Sequence, residues 1–294
     1  MKQVFAILLA ALLLLSFTGC IRVSCNGISV SAPIRYANAD KYTAGNFTYD
    51  ETKVKKVEIE WISGSVTLLN GKGTLSVSES GADTLPAEKQ LHWWIDGTTL
   101  KIKFCKSGEN LSLTELESKN ITVELPDFAD VGVDVASGRV VAKGTLTVGR
   151  FDLKTASGGA EIGGLSAEEI EINSASGGIS MDCVSVDGAF KVDTASGGLS
   201  VVEIDARSIR IDSASGGVSL GLKRTVGKVD IDVASGAVNL KLIDPEEGAT
   251  VQLKAVSGSL KTALPYEKNG KTYTIGKGLI PIDINVASGS VTID

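Results

Sequence analysis

The chain is poor in the residues on which much familiar enzyme chemistry depends. One histidine, His92, stands in 294 residues, which weighs against a His-rich metal site, a Ser-His triad or a histidine proton relay. Aromatic residues contribute only 5%. Lysine and arginine form no cluster and the net charge is −6, so the electrostatic footprint that nucleic-acid binding needs is missing. An anionic membrane surface is an equally poor electrostatic partner. No cofactor is expected. Cysteine is scarce too: beyond Cys20, only Cys25, Cys105 and Cys183 remain. In an oxidising compartment an odd number leaves at least one thiol unpaired or bridged to another molecule, and the irregular spacing matches no zinc pattern. The three read as small buried hydrophobes plus one flexible thiol near the N-terminus; a Cys25 to Cys105 bridge stays open.

Glycine, by contrast, is plentiful. Its 33 residues, in a chain that is 43% hydrophobic and 22% charged, describe a globular, turn-dense β protein rather than a disordered one. At roughly 150 residues per domain the length suits one or two domains.

The N-terminus reads as an export signal. Lys2 supplies the positive region and Val4 to Leu15 the apolar one, a run too short to cross a bilayer comfortably. It ends in Phe17-Thr18-Gly19-Cys20, which resembles the lipobox of bacterial lipoproteins, although Phe17 stands where leucine is usual. The resemblance implies a signal peptide over 1–19, lipidation of Cys20 and a membrane partner engaged through that lipid. Ordinary secretion with a free Cys20 is the alternative. Residues 20–50 lack sustained periodicity and read as a tether. Within them, Asn46-Phe47-Thr48 is a glycosylation sequon, which in a bacterial chain is read as chance.

Self-similarity dominates the rest. A Ser-Gly pair, usually inside Ala-Ser-Gly-Gly, recurs at Ser63, Ser137, Ser157, Ser176, Ser196, Ser215, Ser235, Ser257 and Ser288, with steps from Ser137 of 20, 19, 20, 19, 20, 22 and 31 residues. With each Ser as position zero, −6 and −4 are apolar (Ile170 and Ile172, Phe190 and Val192, Ile209 and Ile211). So are +3 and +5 (Ile179 and Met181, Leu199 and Val201, Val218 and Leu220). Each half has the period of two of a strand with one buried face. Positions −4 and +3 lie an odd number apart, so one straight strand would aim them at opposite faces. The chain has to bend at Ser-Gly. Glycine at +1 in all nine copies suits a corner that needs φ > 0 or close approach of a neighbouring backbone.

Each unit is then strand, tight corner, strand and return turn. One unit buries too little to order itself, so units must stack and share one interior. In an antiparallel meander nothing requires the same corner residue every two strands. In a parallel coil equivalent residues lie ~4.8 Å apart, and a recurring Ser becomes a ladder whose hydroxyls can bond the next corner. The pattern predicts an all-β fold: a parallel β-solenoid of ~20-residue two-strand repeats over 131–294, roughly 35 to 40 Å long. Residues 51–130 carry one mark, at Ser63, then the Asp96-Gly97 hairpin signal and the strand Ile121 to Leu125 before Pro126. They read as a less regular N-terminal β module that caps the stack, since a bare end would invite edge-to-edge association.

The segment Val57 to Leu68, the Asp96-Gly97-Thr98-Thr99-Leu100 hairpin, the Val123-Glu124-Leu125-Pro126 strand and the Ala-Ser-Gly-Gly run together resemble a bacterial family. It is described as a "putative adhesin" or β-strand-repeat domain of unknown function. The resemblance covers about residues 40 to 294. It implies an extracytoplasmic β-repeat protein, often membrane-tethered, with relatives associated with envelope stress and no catalytic residues to transfer.

Several candidate sites follow from the pattern. Outward positions −5 and −3 are rich in carboxylates, among them Glu58, Glu60, Asp134, Asp152 and Glu171, which suits a solvated sheet face. Stacked Asp193, Asp212 and Asp232 would make a weak divalent-cation track, but Lys191 and Arg210 compete for those carboxylates. Trp93-Trp94 beside His92 is either a sugar-stacking platform or a pair split between core and surface. The corner serines suit hydrogen bonding at the bend rather than nucleophilic work. The long final step contains Tyr266, Lys268, Asn269, Lys271 and Tyr273, whose Asn-Gly suggests a hairpin projecting from the rod. It is a candidate interaction loop, or a shield for the last units.

The expectation for function is a non-enzymatic, lipid-anchored cell-surface protein, extracytoplasmic, presenting a face or loop to an envelope protein, peptide or polysaccharide. The alternative is a regulatory lipoprotein that senses envelope stress or cationic peptides through its acidic surface. A carbohydrate-cleaving β-helix enzyme is the weakest reading, because no irregular carboxylate pair stands out from the repeat.

Overall fold

The structure, a computed structural model, describes residues 34–49, 53–109, 119–224 and 227–294. Cys20, Cys25 and the signal segment lie outside these. Among the described residues there is no α-helix, only 3-10 turns at Ala39–Lys41, Ala82–Thr84 and Ala87–Lys89. The strands form one hydrogen-bonded system, coiled in parallel as the repeat predicts. Glu169–Ser176 pairs with Arg150–Ser157 on one side and with the second half of Ile179–Ser196 on the other, setting Ser176 opposite both Ser157 and Ser196. Ser215, Ser235 and Ser288 continue the file.

The same register stacks Phe151, Ile170, Phe190 and Ile209 in one interior column, all fully buried. Each contributes about 1.5 to 3 kcal/mol by leaving water. The alternation of buried and exposed residues changes phase at Ser-Gly, as the odd offset requires. It changes again after Met181 and after Val201. The stretch that carries the chain to the next rung therefore has an inward pair of its own: Leu165 and Ala167, Val184 and Val186, Ile204 and Ala206. The coil has three short inward-facing sides where the −6/−4 and +3/+5 pattern shows two.

Glycine makes the corner for a steric reason. A Cβ on Gly158, Gly177, Gly197 or Gly216 would lie 1.9, 2.0, 2.1 and 2.1 Å from the carbonyl oxygen of the glycine one rung away. Each corner is pressed against the last. The expected ladder of serine hydroxyls does not form. Ser157, Ser176, Ser196 and Ser215 are exposed, and among the described residues none of their hydroxyls bonds the next corner. Backbone joins the rungs instead, with Gly177 N–H donating to Ser196 O at 3.2 Å and Gly197 N–H to Ser215 O at 3.1 Å. The reason is directional: at an outside corner the side chain faces water, while the peptide groups point along the stack.

Rung order departs from chain order at both ends. Lys56–Asn70, which bends at Ser63, lies between the Ser137 rung and an outer rung made of Thr99–Lys103 and Asn120–Leu125. That outer rung is covered by antiparallel strands, Leu75–Glu79 on one side and His92–Asp96 on the other. Phe47–Tyr49 and Thr43–Ala44 add one more strand to each. At the far end, Ile280–Ser288 and Val291–Ile293 slot between the Ser235 and Ser257 rungs. The long final step is thus a detour: the chain lays down the outermost rung, makes a hairpin, and returns to fill the place beneath it. One apolar core runs from Val54 to Ile293.

Candidate interaction surface

The hairpin of the long step pairs Tyr266–Asn269 with Thr272–Ile275, setting Lys268 opposite Tyr273. Its two-residue turn is Gly270-Lys271, with Gly270 at φ 62°, a conformation that glycine adopts without strain. The strand Thr272–Ile275 in turn pairs antiparallel with Ala249 to Gln252. The hairpin therefore does not project from the rod; it lies flat as the last two strands of one side. Ile275 is the anchor, buried in the core, with Tyr273 packed against its margin. The outer strand, Tyr266 to Asn269, is exposed throughout. Lys268 Nζ stands 5.0 Å from the centre of the Tyr273 ring, and the Tyr266 and Tyr273 rings are 5.7 Å apart. The five loop residues are brought together as one basic, aromatic edge.

The carboxylate column is equally regular. Asp193, Asp212 and Asp232 sit in register on consecutive rungs, bracketed by Asn173 and Asn285. Burial, and then the neighbouring Asp212, push the Asp193 carboxyl above its ordinary value. Bases answer this face: Arg210 Nε donates to Asp212 Oδ2 at 2.9 Å, Arg150 bridges Asp152 and Glu171 at 3.0 Å each, and Lys228 reaches Asp230 and Asp283 at 2.7 Å each. Among the described residues no three acidic, histidine or cysteine side chains converge on a point where a metal ion would sit.

Trp93 and Trp94 fall on opposite faces, as neighbours in a strand do. Trp93 stacks on Phe47 with centroids 4.1 Å apart. Trp94 meets Tyr42 edge-on at 5.6 Å, with Lys41 and Lys101 at 4.8 and 5.0 Å from its ring, so its ring is engaged by two cations and a tyrosine. His92 is buried with Nδ1 3.0 Å from Gln90 O. Burial holds its pKa below the ordinary value, which keeps the ring neutral.

The described chain is thus a file of coiled parallel rungs with a glycine after the serine of each Ser-Gly bend, closed at one end by antiparallel strands. The Toastrack DUF4097 family description matches residues 54–294. The chain belongs to that family. Solved structures similar to this Toastrack chain include a "putative adhesin" from Bacteroides fragilis NCTC 9343, 13% identical over 85% of this chain and 96% of that one, with a TM-score of 0.49. Another is a "putative lipid binding protein" from Parabacteroides distasonis ATCC 8503, 14% identical over 86% and 97%, with a TM-score of 0.40. Comparison with curated proteins finds no match.

One feature of the Toastrack chain escapes sequence reasoning. Lys119 Nζ lies 2.9 Å from Glu79 Oε1, the two side chains 7% and 0% exposed, beneath the N-terminal cap. The same ammonium donates to Phe104 O and stands 5.4 and 4.3 Å from the Trp61 and Phe104 rings. Glu79 Oε2 accepts the Leu91 N–H at 2.7 Å. Burial lowers the Lys119 pKa. In sequence both residues look like ordinary surface charges. Among the described residues neither Cys105 nor Cys183 is paired: Cys105 is buried, its thiol pushed up to about 12 by burial, whereas Cys183, expected to be a small buried hydrophobe, is exposed because it sits where the buried-exposed alternation changes phase.

Proposed function

We propose that this Toastrack chain is a non-enzymatic, extracytoplasmic surface module, anchored through a lipid on Cys20 and presenting the far end of its rod to another component of the envelope. The placement of the two ends carries the reading. The described chain enters at the capped end, where Ile34 N–H donates to Glu109 O at 3.3 Å and Tyr36 Oη to Cys105 O at 2.9 Å. Tyr266, Lys268, Asn269, Lys271 and Tyr273 lie on the Ser257 rung at the opposite end. On this reading the anchored end is the capped one, and the hairpin lies a rod's length from it, roughly 45 Å by the ~4.8 Å spacing of stacked strands. A rigid scaffold that holds a polar loop clear of its anchor suits contact between surfaces.

Replacing Cys20→Ala should move the chain from membrane to soluble fraction and abolish incorporation of labelled fatty acid; retention of the label would end the anchoring proposal. Deleting Lys268 to Lys271 should weaken attachment to the partner surface. A second reading, as a sensor of cationic peptides, draws on the Asp193, Asp212 and Asp232 column. Its mark would be peptide binding that fades as salt screens the charges, with altered stress-gene output and attachment intact.

A further inference from the structure

We infer that the free edge of the Ser257 rung accepts an extended acidic peptide as an added strand. The end that carries the hairpin is only partly closed. Thr272–Ile275 covers Ala249 to Gln252, and the Leu253 N–H donates to Lys271 O at 3.0 Å. Beyond that point, among the described residues, no strand lies outside Lys254 to Thr262. On the inner side Leu260–Thr262 pairs in parallel with Val291–Ile293, and Val291 N–H donates to Ser259 O at 3.4 Å. The alternation of a parallel ladder then turns the N–H and C=O groups of Leu260 and Thr262 outward. At the other end of the rod both sides are covered by antiparallel strands. An edge left open in this way is a template for one more strand.

Charge selects the occupant. Between residues 249 and 275 stand Lys254, Lys261, Lys268 and Lys271 against Glu267 alone, in a chain whose net charge is −6. Lys254 and Lys261 are exposed on the terminal rung itself, and the hairpin tip places Lys271 beside the start of the free edge. A second copy of this edge would set lysine against lysine, which opposes self-pairing. A strand with carboxylates opposite Lys254 and Lys261 gains backbone bonds and ion pairs together, and Val256, 90% exposed, offers it an apolar contact. The inference rests on the reading of the chain as an interaction module, and not on the lipid anchor.

The test uses the full chain and a labelled synthetic peptide of about eight residues alternating glutamate with valine, followed by fluorescence anisotropy; the same peptide with lysine in place of glutamate is the control. The acidic peptide should bind, and Leu260→Pro, which removes an outward N–H while sparing the inner ladder, should weaken it roughly tenfold or more. The double variant K254E/K261E should transfer preference to the lysine peptide. Hydrogen exchange on the unsubstituted chain needs no variant: the Leu260 and Thr262 amides should exchange more slowly with the acidic peptide present. Equal binding of both peptides, or unchanged exchange at those amides, would overturn the proposal. So would binding to anionic lipid vesicles without peptide binding, which would assign the lysines to a membrane. Cell attachment that is lost on deleting the whole chain but survives Leu260→Pro overturns the edge and leaves the surface-module reading standing.

Discussion

At the corner, two adjacent glycines have different jobs. Gly177 has φ 131° and its Cβ position lies 2.0 Å from Gly158 O, whereas around Gly178 nothing lies within 4 Å. Gly177→Ala should therefore cost about 3 kcal/mol. Gly178→Ala should be neutral or stabilising by up to ~1 kcal/mol, because it only narrows the unfolded ensemble. Urea melts of the two variants separate a steric corner from a merely flexible one; equal losses would refute the assignment. Asp193 supplies a second residue-level test. Its folded pKa is raised, by burial and then by Asp212, so the folded state holds the proton more tightly than the unfolded one. The penalty is present at neutral pH and disappears as pH falls through the folded pKa. Asp193→Asn should melt higher than the parent at pH 7, with the gap closing on acidification.

Position −2 of the repeat, where sequence pattern showed nothing special, forms a column of its own. Thr155, Ser174, Thr194 and Ser213 stack there in register and are buried, and among the described residues the hydroxyls of Ser174, Thr194 and Ser213 have no hydrogen-bond partner. The column continues into Val233 and Val286, so the site already accommodates valine. Thr194→Val should raise stability by about 1 kcal/mol, measured as a shift of the urea midpoint at constant slope. The capping element gives the opposite case. Lys119→Met leaves the Glu79 carboxylate buried without its cation and should cost about 3 to 5 kcal/mol. The double variant Lys119→Met with Glu79→Gln should recover much of that loss, and no recovery would refute the pairing.

The interleaved end rung has consequences for the whole molecule. In a solenoid stacked in chain order, removing the last segment trims one end and leaves the rest paired. Here Ile280–Ser288 is the layer between the Ser235 and Ser257 rungs. Truncation after Leu279 should strand the whole of 249–279, which limited proteolysis would cut rapidly while the rungs from Ser157 to Ser215 stay protected. Protection of 249–279 in the truncated chain would mean that the Ser257 rung can dock directly on its neighbour.

The repeat length, the Ser-Gly bend and the parallel sense of stacking were written in the chain, because alternation, the odd offset from −4 to +3 and an unvarying glycine are local properties; the third inward side, with Val184 and Val186 or Ile204 and Ala206, was not. The hairpin was legible for the same reason, although its turn is Gly270-Lys271 and Asn269 belongs to the strand before it. Tertiary structure alone decided which rung lies beside which, that the hairpin lies flat, and that Lys254 to Thr262 is left as an edge. Rungs are joined by peptide groups that are alike in every unit, and the inner columns repeat the same few aliphatic side chains. Nothing in such a ladder labels a particular neighbour, so the order of the ends is settled by loop length and by which arrangement buries Ile275 and Ile282. The Glu79–Lys119 pair was hidden likewise: only the cap that brings those two charges out of water distinguishes them from the many that remain in it.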